Sequence, residues 1–291
     1  MILIADSGST KTDWRLVTAT ETFDQVQTIG FNPMYQDADQ IYQALHDTLL
    51  PQLKEKTPEA IYYYGAGCSS PERNKRVEDA LKLAFPASEI HVDHDLMGAA
   101  RSLCGHKPGI AGILGTGSNS CLYDGKDIVD NVPSLGFLLG DEGSGAYMGK
   151  LLIKAYLYRE LPDELAQSLK NRFNLTKDGI LDEVYGSTVP SRYMASFAKF
   201  MHEKRQHPVI KAMIYENFSE FFECHITKYD KFAELPVHFV GSIAYHFSDT
   251  LKQVAKKYGI TLGRILSTPS EGMILYHQEL LQAFGTPNST K

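Results

Sequence analysis

Ile110-Ala111-Gly112-Ile113-Leu114-Gly115-Thr116-Gly117-Ser118-Asn119 is an apolar run that ends in a small, hydroxylated turn and passes into the strand-like Ser118–Tyr123. The same design stands at the start of the chain. There Ile2–Ala5 runs into Asp6-Ser7-Gly8-Ser9-Thr10-Lys11-Thr12, and Thr12–Val17 follows as a second strand. A glycine-bearing turn between two such runs predicts a hairpin. Each hairpin is followed by another strand-like run, Phe23–Ile29 in the first case and Asp127–Val132 in the second. Two sub-domains, each opening with strands around a Gly/Ser/Thr turn, are expected, with a boundary near Gly105–Gly109 where Gly, His, Lys and Pro interrupt the periodicity.

Working outward, Ala38–Leu50 carries Ile41, Leu45, Leu49 and Leu50 at helical spacing, and Pro51 is expected to stop it. Ile61–Tyr64 reads as a strand, Pro71–Phe85 as a helix, Ile90–Val92 as a strand and Leu96–Leu103 as a helix. After the second hairpin the pattern is strongly helical: Ser144–Arg159, Glu164–Arg172, Ser191–His202 and Val209–Tyr229. Val237–Val240 is a strand, Ser242–Tyr258 a helix and Ile265–Ser267 a last strand, with a closing helix from Pro269 to Phe284. Strands followed by alternating helices and strands predict an α/β fold with mixed sheets covered by helices, the second domain helix-rich.

Composition narrows the function classes. The 291 residues are 43% hydrophobic, enough for a sizeable core. Lys and Arg number 29 against 35 Asp and Glu, and the absence of a basic excess or stripe argues against nucleic acid as a partner. Ile110–Leu114 and the other apolar runs are far too short to span a bilayer, and no charged segment precedes an apolar one at the start, so neither membrane nor signal peptide is expected. The 4 cysteines, Cys68, Cys104, Cys121 and Cys224, are widely separated and contain no Cys-x-x-Cys pair. That spacing fits reduced thiols in a cytoplasmic protein.

The chemistry-bearing residues cluster at the turns. Gly8 removes a side chain that would block an anion, and backbone amides with the Ser9 and Thr10 hydroxyls can converge on one beside Lys11. Asp6, at a strand end, suits a hydrated Mg²⁺. The same residue types also make an ordinary hairpin turn. Gly115, Thr116 and Gly117 repeat the arrangement, and two such turns suggest a pair of clamps on the β- and γ-phosphates of one nucleotide. No Gly-x-x-x-x-Gly-Lys-Ser/Thr run follows a strand, and no Gly-x-Gly-x-x-Gly is present. Asp95, at a strand–helix junction, can take the proton of an attacking hydroxyl or serve as a helix cap. His94 beside it reads as structural. Asp141 and Glu142 lie between glycines before a long helix, where they can accept from sugar hydroxyls or simply favour the helix start. Gly241-Ser242 stands at another strand-to-helix turn, where glycine permits either a flat nucleoside or close packing.

Together these segments resemble the actin/hexokinase/chaperone ATPase superfamily, and most closely its branch of N-acetylglucosamine kinases and related activator ATPases. The resemblance runs through nearly the whole chain in order. It is strongest at Gly115-Thr116-Gly117-Ser118-Asn119 followed by Gly140-Asp141-Glu142-Gly143-Ser144. It implies two ribonuclease-H-like domains with a central cleft: residues 1–107 joined by the C-terminal helix 269–291, and residues 108–268 with a helical insert around Leu161–Tyr185. It implies ATP and Mg²⁺, with Thr10 and Thr116 on phosphates and Ser242 near the adenosine. Asn32, Ser118, Asn119, Gly136 and Asp141 would contact the sugar, and Asp95 would be the base that activates its 6-hydroxyl. A homodimer through the insert is compatible with it. Where the human-like motif has a Trp between glycines, this chain has Ser134-Leu135-Gly136, and the zinc motif of the repressor–kinase branch is absent. An activator ATPase would need paired cysteines near Cys121, and a sugar sensor would bind without turnover.

Overall fold

The computed structural model describes residues 1–8, 11–53 and 56–284. The chain divides into two units. The first holds residues up to Lys107, the stretch Gly125–Asp127 and the segment from Pro269 onward; the second holds Pro108–Asp124 and Ile128–Thr268.

In the first unit β1 (Ile2–Ser7), β2 (Lys11–Val17), β3 (Thr22–Ile29), β4 (Ala60–Gly65) and β5 (Glu89–His94) form one sheet in the order β3-β2-β1-β4-β5. The hairpin-connected strands are antiparallel, and β4 and β5 run parallel to β1 after helical crossovers. The crossovers are α1 (Ala38–Thr48), the short α2 (Leu50–Leu53) and α3 (Pro71–Ala84); α4 (Asp95–Cys104) follows β5. A reciprocal cap starts α1: the Gln40 amide donates to Asp37 at 2.9 Å and the Asp37 amide to the Gln40 side chain at 3.1 Å. Pro51 does not stop α1. The helix ends at Thr48, and Pro51 sits in the first turn of α2, where a missing N–H leaves nothing unpaired. Leu3, Trp14, Leu16, Ile41, Leu45, Ile61 and Val77 make the buried core. The indole of Trp14 donates to the Thr28 hydroxyl at 2.9 Å, which satisfies its single polar atom. A helix over Ser270–Phe284 packs on α4.

The second unit repeats the plan strand for strand. β6 (Gly109–Leu114), β7 (Ser118–Tyr123), β8 (Ile128–Asp130), β9 (Val237–Val240) and β10 (Leu262–Leu266) are ordered β10-β9-β6-β7-β8. Again the first three are antiparallel and the last two parallel to the opening strand's direction. Between β8 and β9 come α5 (Gly136–Leu139), α6 (Gly145–Leu157), α7 (Asp163–Phe173), α8 (Lys177–Tyr185), α9 (Pro190–Ser196), α10 (Ala198–Glu203) and α11 (Pro208–Cys224). After β9 come α12 (Ser242–His246) and α13 (Ser248–Lys257). The run expected as one helix over Val209–Tyr229 ends at Cys224 and gives way to a 3-10 turn over Ile226–Lys228, and two further runs expected as single helices are broken within. The first breaks at Phe197, fully buried, and the second at Phe247, whose backbone leaves the helical region at φ −109°, ψ 21°. In both, burying a large ring at the break outweighs helix continuity. Phe197, Phe200, Phe218, Phe221, Phe222 and Phe239 are all buried in this unit's core. Among the described residues no helix is long and apolar enough to cross a membrane.

Candidate functional site

In the second unit, Leu114 pairs with Ser118, leaving Gly115-Thr116-Gly117 as the turn. The turn is tied down from behind. The Gly145 amide donates to the Gly115 carbonyl at 2.9 Å and the Ala146 amide to the Thr116 carbonyl at 3.1 Å. The first turn of α6 thus spends two amides that lack a partner within the helix on fixing this hairpin. Asp141 braces it from another side: the Ser118 amide donates to its carboxylate at 3.2 Å. Gly117 leaves room for that carboxylate, since a Cβ there would lie 3.1–3.3 Å from its atoms. Asp141 itself takes a left-handed φ of 65° between Gly140 and Glu142, a conformation that short polar side chains tolerate best. Burial pushes its carboxyl above the usual range, against the opposing Ser118 amide and Lys150. The Lys150 ammonium donates to the carbonyls of Phe137 and Gly140 at 2.7 and 3.1 Å and so holds the loop that presents Asp141.

Beside the turn is a cavity of about 510 Å³. Gly115, Thr116 and Ser242 line it together with apolar Ala195, Ala198, Ile243 and Phe247, and Lys199, His202 and His246 add ionisable groups. Burial lowers the His202 pKa, with Arg205 and His246 adding to the effect, so the ring is held toward its neutral form. It stands edge-on to His246 and Phe247 at 5.5 and 5.3 Å. The volume and the mixture of flat apolar walls with a few polar groups suit a nucleoside. Gly241 serves packing. Its φ is 122°, and a Cβ would stand 2.2 Å from the Leu114 carbonyl oxygen, so strand-to-turn contact explains this glycine without a ligand.

The other expected residues of this unit differ in their surroundings. Ser118 is buried and its hydroxyl has no hydrogen-bond partner, while its carbonyl accepts from Ser134 at 2.9 Å. The Asn119 side-chain oxygen accepts from the Ser120 amide at 2.9 Å and from Asn131 at 3.2 Å, which turns it into the hairpin's own bonding. Gly136, at φ 71°, opens α5, where Leu138 is 85% exposed.

In the first unit, Ser7 pairs with Thr12 around the equivalent turn, and the Gly8 amide donates to the Lys11 carbonyl at 2.9 Å. Ser9 and Thr10 lie outside the described residues. The Ser7 and Thr12 hydroxyls bond each other at 2.7 Å in the interior, and Lys11 pairs with Asp13 at 2.8 Å. Asp6 is directly opposite Asp13 in the β1–β2 ladder. Burial, then Asp13, then Asp95 push the Asp6 carboxyl up to about 7, against the pull of Lys11. Like charges on neighbouring carboxylates have this effect wherever water cannot screen them. Asp95 is the first residue of α4, but the cap is His94, whose Nδ1 accepts from the Met97 amide at 3.1 Å. Asp95 as a residue is half-buried, and its carboxyl is raised, chiefly by burial, with His94 and the amides of Leu96 and Asp95 opposing. Asn32 is braced: its side-chain oxygen accepts from the Met34 amide at 3.0 Å and lies against Gly67, where a Cβ would overlap it at 2.3 Å.

Among the described residues no three His, Cys, Asp or Glu side chains converge as a metal-holding group. A cation held through water needs only one carboxylate. Asp6, with two more acids raising its pKa, has the excess negative charge that Mg²⁺ would offset. The residues missed in the sequence are those of α9 and α10, Ala195 to His202, which wall the cavity; the break at Phe197 that turns them toward it has no glycine or proline to announce it.

No family model matches the chain, and no curated protein does. Solved structures match it end to end. A candidate N-acetylglucosamine kinase from Porphyromonas gingivalis is 42% identical with a TM-score of 0.92, over 96% of this chain and 99% of that one. Another candidate N-acetylglucosamine kinase, from Chromobacterium violaceum, is 19% identical with a TM-score of 0.76, over 94% and 98%. A ROK family glucokinase from Streptomyces griseus, solved with glucose and AMPPNP, is 13% identical with a TM-score of 0.56, over 97% and 99%. The last two bear on the fold alone, a two-domain α/β architecture of helix-flanked sheets. At the identity and coverage of the first, the chain belongs to the branch of the actin/hexokinase ATPase superfamily that holds the N-acetylglucosamine kinases.

Proposed function

We propose that the protein is an ATP-dependent kinase that phosphorylates the 6-hydroxyl of N-acetylglucosamine or a close hexosamine. The observation that carries the proposal is the Gly115-Thr116-Gly117 turn, fixed by α6 and Asp141 and opening on a nucleoside-sized cavity. A small-residue turn with immobilised carbonyls offers its hydroxyl and outward amides to phosphate, and the cavity accepts the base and ribose.

In this mechanism Asp95 accepts the proton of the sugar 6-hydroxyl. The oxygen then attacks the γ-phosphorus in line, the bond to the β-phosphate oxygen breaks, and ADP leaves. Burial, which raises the basicity of Asp95, suits it to that step. Asn32 and Asp141, both braced by backbone amides, would orient the sugar. Asp6 would hold a hydrated Mg²⁺, which when bound neutralises charge on the transferring phosphates. Positioning and charge neutralisation supply most of the acceleration in phosphoryl transfer, so rigid supports matter more than reactive groups.

An ADP-release assay with a panel of hexoses tests this. ADP formation that requires N-acetylglucosamine and exceeds that with glucose or N-acetylmannosamine is expected. Binding of ATP and sugar without turnover would replace the kinase by a sensor. The activator-ATPase alternative loses its main support, because Cys121 is fully buried in β7, opposite Ala111, rather than at a surface.

A further inference from the structure

At the edge of the first unit's sheet is a cavity of about 310 Å³ that the proposed reaction does not use. Tyr62 and Tyr64 of β4, His91 and Asp93 of β5, Glu78 of α3 and Arg101 of α4 line it. Arg101 lies over the rings of Tyr64 and Tyr276 at 5.6 and 5.4 Å, and one terminal nitrogen donates to the Tyr64 hydroxyl at 2.7 Å. Its Nε is buried without a hydrogen-bond partner. The contacts of the guanidinium are rings and a hydroxyl, and Asp93 acts on it only through space.

The neighbours supply no carboxylate in hydrogen-bond contact with the guanidinium. The Tyr64 hydroxyl accepts from Arg101 and shares a second hydrogen bond with Nε2 of the buried His277 at 2.8 Å, and burial holds both groups in their neutral forms. His91 is stacked on Tyr62 at 4.6 Å and paired with Glu89 at 3.1 Å, so any charge it carries is already matched. Asp93 accepts from the His94 amide at 2.8 Å and stands 3.6 Å from the His94 ring. The cavity therefore presents one guanidinium lacking a carboxylate partner and two carboxylates, Asp93 and Glu78.

This charge pattern selects a ligand class. A dianionic phosphate ester would gain one guanidinium but face two carboxylates. A neutral sugar would leave the guanidinium unmatched. A molecule with one carboxylate and one ammonium satisfies both sides, and the planar guanidinium is shaped to take a carboxylate. We propose that this cavity binds a small zwitterion of the α-amino acid type, its carboxylate on Arg101, its ammonium against Glu78 and Asp93, and its side chain against the Tyr62 ring. Binding there does not depend on the kinase assignment. It would brace β5 and α4, the two elements that meet at Asp95.

The test is thermal shift followed by calorimetric titration of the full chain with each of the common α-amino acids. At least one is expected to raise the melting temperature and bind once per chain. Its N-acetyl and carboxamide derivatives, each lacking one charge, are expected to bind at least about tenfold more weakly, the usual loss for a charge-assisted hydrogen bond. Glu78→Gln is expected to weaken binding about tenfold, and Arg101→Met to abolish it. If Arg101→Met does not fold, Arg101→Lys, which keeps the charge but loses the fork, is expected to weaken binding by a similar factor. Failure of every amino acid to bind would overturn the proposal. So would equal binding of the uncharged derivatives, affinity indifferent to Glu78→Gln, or tighter binding of inorganic phosphate or glucosamine that Arg101→Met abolishes.

Discussion

The β1–β2 and β6–β7 turns hold equivalent places in two sheets of the same strand order, and Gly8 and Gly115, which open them, are both uncrowded, yet Gly117 of the second turn has surroundings that Gly8 lacks. Among the described residues, a Cβ added to Gly8 would meet only the Lys11 carbonyl at 3.7 Å, an ordinary contact. One added to Gly117 would press on the Asp141 carboxylate at 3.1 Å, and one on Gly241 would overlap the Leu114 carbonyl at 2.2 Å. The second turn is thus fixed by the protein's own packing, with α6, Asp141 and Gly241 closing on it. Among the described residues no side chain closes on Gly8 of the first. Where protein fills the space a side chain would take, substitution costs folding free energy; where nothing does, it costs whatever ligand approaches.

Substitutions can break or sharpen that contrast. The largest effect on stability belongs to Gly241→Ala, which combines a positive φ with a backbone clash. It should cost about 3 kcal/mol or more and lower the thermal midpoint by roughly 6–12 °C in a calorimetric melt. A melt within about 2 °C of the parent would show that the β9–α12 junction is not held against Leu114.

Acid should act on the first unit through its C-terminal helix. His277 is buried, and burial, with Arg101, His91 and His106 assisting, lowers its pKa to about 3. The unfolded imidazole titrates near 6.5, so below that pH the unfolded chain binds the extra proton and stability falls as pH drops toward 3. The expected loss is about 2 kcal/mol between pH 7 and pH 5 from this group. Urea melts at the two pH values check it, and the loss should shrink in His277→Gln. An unchanged pH slope in that variant would remove His277 from the account.

Gly117→Ala should cost less, about 1 kcal/mol, because the Asp141 carboxylate can give way by a few tenths of an ångström. The same shift should lengthen the Ser118–Asp141 hydrogen bond and raise the KM for ATP. Gly8→Ala is the smallest in stability, within about 0.5 kcal/mol, and is expected to act on KM for ATP alone. Loss of stability in Gly8→Ala with normal ATP kinetics would erase the difference between the two turns.

Much of this architecture is legible in the residues. Ile2–Ala5 and Ile110–Leu114 are short apolar runs ended by glycine-rich turns, and local chemistry alone marks them as buried strands entering hairpins. Capping is less so. Both His94 and Asp95 are plausible at the start of α4, and only the backbone places the imidazole, rather than the carboxylate, on the Met97 amide. The contact of Asp141 with Gly117 and Ser118 joins residues more than twenty apart and depends on a left-handed φ at an aspartate, which no local pattern signals. Nor do Phe197 and Phe247 announce themselves as breaks. They lie in runs with good helical periodicity, and it is the packing of the whole unit that interrupts the helices there. What sequence conveys well is set by neighbours along the chain; what it conveys poorly is set by neighbours across it.

Turnover in Asp95→Asn, measured with the dissociation constant for N-acetylglucosamine in the same preparation, bears most directly on the proposed chemistry. The variant should keep sugar affinity within about tenfold and lose at least ~10²-fold in kcat, as expected when a general base is removed. A kcat close to that of the parent protein would contradict the assignment of Asp95 and the reaction built on it.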